Sequence, residues 1–110
     1  MNMHEITLLY FDGCPSWKVG LEHLKTALQS EKIEAKVTLL RVETQEEAQK
    51  ERFLGSPSFR ADGVDLWAED RSDFKLSCRI YATPEGMKGA PTVEMLREKL
   101  RQMIRPRAQI

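Results

Sequence analysis

The sequence predicts an α/β domain: a four-stranded mixed sheet and three helices in the order β-α-β-α-β-β-α, with a capping segment before the last helix. Three observations carry this. Residues 5–11 are apolar on both alternating faces and lead into a helical apolar stripe. A second apolar run ends in Thr44-Gln45-Glu46-Glu47, which has the spacing of a helix capping box. Asp62-Gly63 separates two short extended runs, the strongest local hairpin signal in the chain.

The first element, Glu5 to Phe11, places Ile6, Leu8 and Tyr10 on one parity and Leu9 and Phe11 on the other. A strand buried on both faces needs that pattern. Asp12-Gly13 breaks it. Trp17, Leu21, Leu24 and Leu28 then form one helical stripe, predicting a helix over 15–31 with Pro15 in its first turn, where a missing N–H costs nothing. Ala35 to Val42 reads as the second strand, and a short helix capped by Thr44 runs to about Phe53. The helical crossover between the first two strands makes them a parallel pair. Ser58–Ala61 and Val64–Trp67 read as the hairpin. Residues 68–90 show no clear period and are expected to form a capping loop. Thr92 caps a last helix with the stripe Val93, Leu96, Leu100 and Ile104, and the tail after Pro106 is expected to fray.

The 110 residues make one domain, large enough to bury roughly two-thirds of its unfolded surface without staples. Seventeen basic and seventeen acidic side chains cancel, so nothing steers the chain to nucleic acid or an anionic membrane. The N-terminus lacks the pattern of a signal peptide, and no apolar run is long enough to span a bilayer. A cytoplasmic location is expected. Two cysteines 64 positions apart are no disulfide framework and start as thiols in a reducing compartment. Without CxxC or HxxxH spacing, no metal site is expected, and no cofactor.

With the third strand antiparallel to the first, Cys14, Pro57 and the start of 68–90 meet at one end of the sheet. "CPSW", after a strand and opening a helix, resembles the active-site motif of the thioredoxin and glutaredoxin superfamily. "GSPSF" before a hairpin resembles the segment that carries that fold's cis-proline, here Pro57. Together with "SCRIY", the longer "YFDGCPSW" is similar to a bacterial group of small thioredoxin-fold proteins. In that group selenocysteine can replace the cysteine, and some members carry an alkylmercury lyase label. The resemblance spans about residues 5–104 and implies a thioredoxin fold. It also implies that Ser56 and Pro57 hold an extended substrate beside the thiol. "GAPT" at 89–92 is a rival cis-proline motif, but it precedes a helix, so Thr92 reads better as a cap. One departure is large: Trp17 stands where dithiol members place their second cysteine.

A thiol at a helix N-terminus gains from the unpaired N–H groups there, Ser16 could add a hydroxyl, and a nearby Asp12 carboxylate would oppose ionisation. The bland reading makes Cys14 a packing residue. Cys78 stands in the segment returning from the same sheet end and is the candidate resolving thiol. Its bland reading is a buried cysteine in an extended piece, with Leu76 and Ile80 on its parity. Arg79 is a candidate anion or thiolate partner, against a solvated arginine. Trp17 is a pocket-wall candidate, and His4 and His23 offer no base. The preferred function is thiol redox chemistry by Cys14, resolved by Cys78 or an external thiol such as glutathione, on a thiol or disulfide substrate. Alternatives are soft-metal or organomercurial capture by the two thiols, or a non-catalytic binding or homodimerisation module using the hairpin edge.

Overall fold

The computed structural model describes residues 3–104. Strand β1 (His4–Tyr10) is followed by helix α1 (Trp17–Ser30), β2 (Ala35–Arg41), α2 (Gln45–Glu51), β3 (Ser58–Ala61), β4 (Val64–Asp65), β5 (Tyr81–Thr83), β6 (Gly86–Lys88) and α3 (Val93–Met103). The main sheet has the order β2-β1-β3-β4, with β1 parallel to β2 and antiparallel to β3. This is a four-stranded mixed sheet with three helices.

The central position of β1 follows from its two apolar parities. Ile6 and Leu8 join Leu24, Ala27 and Leu28 of α1, Phe59 and Ala61 of β3, and Leu96 and Leu100 of α3 in the larger core. Leu9 turns to the other face, against Val42, Ala48 of α2 and Phe53. The Thr44 capping box forms as its spacing predicts: Thr44 Oγ1 accepts from Glu47 N at 3.0 Å, and the Glu47 carboxylate accepts from Thr44 N at 3.2 Å. Thr92 caps α3 in the same way, accepting from Met95 N at 3.1 Å. At the β3–β4 turn, Asp62 and Gly63 both take positive φ (50° and 89°), as a two-residue hairpin turn requires.

Three boundaries differ from expectation. Helix α1 starts at Trp17, because Pro15 and Ser16 belong to the turn that precedes it. β4 ends at Asp65, whose Oδ1 accepts from Trp67 N at 2.7 Å and bends the chain off the ladder. Residues 68–90 are not wholly loop, since β5 and β6 form a separate hairpin. Its turn is Thr83-Pro84-Glu85-Gly86, with Gly86 at φ 109° and Thr83 Oγ1 bonded to Gly86 O and Glu85 N. The expected fraying after Pro106 lies outside the described residues. Among the described residues, no helix is long and apolar enough to cross a membrane.

Candidate functional site

The site lies at the C-terminal end of β1. There the chain turns at Asp12-Gly13, and Cys14 N closes the turn by donating to Phe11 O at 3.1 Å. A side chain at Gly13 would place its Cβ 2.6 Å from Phe11 Cε2, so the Phe11 ring would have to shift to admit one. Cys14 is only 2% exposed, and its thiol donates to Ser56 O at 3.2 Å. The helix-start picture needs correcting here: Ser16 is the N-cap, and Cys14 stands two residues ahead of it. Ser16 makes no side-chain cap bond; its hydroxyl packs against Gly89 at the hairpin's exit. The Asp12 carboxylate pairs with Arg41 at 3.1 Å.

Ser56 is the hub of the site. It is fully buried, and the Ser56–Pro57 peptide bond is cis. Ser56 Oγ accepts from Phe11 N at 3.3 Å, tying the hub to the segment after β1. Ser56 N donates to Ser77 O at 2.8 Å, and Ser56 O accepts from Arg79 N at 2.9 Å. Those two bonds make a parallel bridge between Ser56 and Cys78. Residues 77–79 thus run beside Ser56 as a short extra strand, with Cys78 next to the residue that holds the Cys14 thiol. Pro57 is fully buried against Gly20 of α1, and its carbonyl accepts from Tyr81 Oη at 2.5 Å.

Cys78 is exposed, which overturns its reading as a buried packing residue. The buried parity of this strap is the other one, Arg79 and Tyr81, while Ile80 is 58% exposed. The Cys78 pKa is raised: what burial its sulfur has pushes it up first, and the adjacent Cys14 thiol adds to the shift.

Arg79 is not solvated; it is 5% exposed. Its guanidinium contacts Asp65 (3.1 and 3.2 Å), Ser58 Oγ (3.1 Å), Glu69 (3.4 Å) and the carbonyl of Trp67. Burial works against this charge, but Tyr81, Asp65 and Glu69 outweigh it and hold the pKa above its ordinary value. Both terminal nitrogens of the guanidinium bond within this cluster, so Arg79 anchors the strap. At Gly55 (φ 114°) a Cβ would lie 2.9 Å from Arg79 Cβ, so the loop closes on the strap only with glycine. The strap's other end is held by α2, since the amides of Gln45 and Gln49 donate to Phe74 O at 2.9 and 3.0 Å.

Trp17 stacks on Tyr10, with centroids 4.0 Å apart, and packs on the larger core. It is a wall of the fold near the site. Sequence reasoning missed Tyr81, Asp65, Gln45 and Gln49. Only the last two left a signal, as polar residues one helical turn apart. His23 donates from Nδ1 to Pro91 O at 2.8 Å and serves as a tie between α1 and the start of α3. Among the described residues, no group of three or more candidate ligands could hold a metal ion. Compared with known proteins, the chain matches no family model and no curated protein.

Proposed function

We propose that this is a thioredoxin-like thiol redox protein in which Cys14 and Cys78 form a reversible dithiol–disulfide pair. The observation that carries the reading is the Ser56–Cys78 bridge: it sets an exposed thiol beside the carbonyl that holds a buried one. The strand order and the cis Ser56–Pro57 bond beside Cys14 support the fold assignment. Trp17 removes a resolving cysteine on α1, and Cys78 supplies one from the strap.

In the oxidising direction, Cys14 sulfur attacks one sulfur of an external disulfide, RSSR. A mixed disulfide forms and RS⁻ leaves. Cys78 then gives up its proton and attacks Cys14 sulfur, forming the internal bond and expelling the second RS⁻. With the protons of both cysteines transferred to the leaving groups, the sum is dithiol plus RSSR giving disulfide plus two RSH. The test is mass spectrometry of intact protein after mild oxidation, with Cys14→Ser and Cys78→Ser as controls. Loss of two hydrogen atoms is expected in the unaltered chain and in neither variant. Oxidation that stops at sulfenic acid, or that links two chains, would refute the pair.

A further inference from the structure

The strap occupies the backbone hydrogen-bonding groups beside Cys14. An extended peptide docks beside a buried group most readily by adding a strand, which requires a free backbone N–H and C=O. Beside Cys14 those groups belong to Ser56, and both are taken: N–H by Ser77 O and C=O by Arg79 N. The occupant is fixed at both ends, by the buried Arg79 cluster and by the α2 amides on Phe74 O. Cys14 itself is 2% exposed, so little of its sulfur can be approached. The pairing strand is part of the chain itself, with Cys78 opposite Ser56.

We propose that residues 77–79 act as an internal peptide that closes Cys14 to polypeptide disulfides, so that the site exchanges with low-molecular-weight disulfides lacking a backbone to pair. This rests on the redox reading above, but it concerns access to Cys14 and can be tested without Cys78. The exchange has the balance already written, with R a small organic group. Cys14 sulfur forms the new bond, the reagent's S–S bond breaks, and one RS⁻ leaves and takes up the proton from Cys14.

The experiment uses full-length Cys78→Ser, which keeps the strap but removes the resolving thiol. Cys14 is challenged with 2-hydroxyethyl disulfide and with a disulfide-linked decapeptide. Each rate is divided by that of free cysteine with the same reagent. The normalised rate for the small reagent should exceed that for the peptide by at least about tenfold, because exchange depends on access to the attacked sulfur. Equal rates, or no reaction with either, overturn the proposal. Loosening the strap supplies the second arm, through Asp65→Asn and, should that variant misfold, Arg79→Lys, each on the Cys78→Ser background. Amide exchange at Ser56 and Arg79 should quicken and the ratio should fall towards one. Faster amide exchange with an unchanged ratio would show that the strap is not the filter. In the unaltered chain, failure of 2-hydroxyethyl disulfide to produce the Cys14–Cys78 bond would sink the pair reading alone, since the access ratio is read without it.

Discussion

Arg79 shows how far one side chain's role depends on partners the sequence scatters. Its two terminal guanidinium nitrogens meet Asp65, Glu69, Ser58 and the Trp67 carbonyl, gathered from three segments of chain. Asp65 is 10% exposed at its side chain and Arg79 5%, so the pair is screened little by water. Removing one partner of such a pair strands the other. Arg79→Met should cost about 3–5 kcal/mol in urea unfolding. Arg79→Lys keeps the charge but loses the planar fork, so it should cost less while freeing the strap. Equal losses in the two variants would mean that charge alone, and not the fork, anchors the segment. The "SCRIY" run placed Cys78 and Arg79 side by side, but their opposite fates depend on which parity of an isolated strap faces inward. Leu76, Cys78 and Ile80 are the apolar parity, and burial went to Arg79 and Tyr81 because hydrogen-bond partners waited there. Hydrophobic patterning cannot register that choice.

At the level of elements, α1 meets the cis-proline loop through Gly20. A Cβ on Gly20 would lie 3.0 Å from Pro57 Cγ and 3.1 Å from Phe59 Cζ, both in fully buried residues. Gly20→Ala offers about 1 kcal/mol in helix propensity. Overpacking a site with no room to yield costs about 1–3 kcal/mol. The clash should win, with a net loss of about 1 kcal/mol by urea denaturation, and a net gain would mean that the loop carrying Pro57 can move. Elements with local grammar were legible in the sequence: the capping box of α2, the Thr92 cap, the Asp62-Gly63 turn and the doubly apolar β1. The β5–β6 hairpin also had its signal in Thr83-Pro84-Glu85-Gly86, a proline at the second turn position and a glycine at the fourth. It was obscured because its flanking strands are three residues each, too short to show a period. The Cys14–Ser56–Cys78 arrangement was legible only as a shared sheet end. Its closeness depends on the strap's path, which the Arg79 cluster decides.

Across the whole molecule, four groups with shifted ionisation bear on how stability varies with pH. The carboxyl of Glu31, on the segment after α1, is held low chiefly by the hydrogen bond from Arg97 of α3, and Asp62 chiefly by Glu5 N and His4. Their stabilisation is present above the ordinary carboxylate range and is lost as pH falls through the folded values. The thiol of Cys78 and the phenol of Tyr81 are raised, Tyr81 strongly and mainly by burial. For these the sign reverses: stability is complete below the ordinary value and declines as pH rises, because the unfolded chain releases its proton first. The decline from Cys78 should begin near pH 8.5 and that from Tyr81 near pH 10. For the buried Tyr81 the slope approaches about 1.4 kcal/mol per pH unit. Tyr81→Phe separates the two effects. At neutral pH it should lose about 1–3 kcal/mol, since Pro57 O is left buried without its 2.5 Å donor. Above pH 10 its stability should fall less steeply than that of the unaltered chain, so the two curves converge with rising pH. Parallel curves in urea unfolding between pH 7 and 11 would mean that the Tyr81 phenol titrates alike in the folded and unfolded chains. The bond from Tyr81 to Pro57, which ties the hairpin to the thiol site, would then have no part in the alkaline limit.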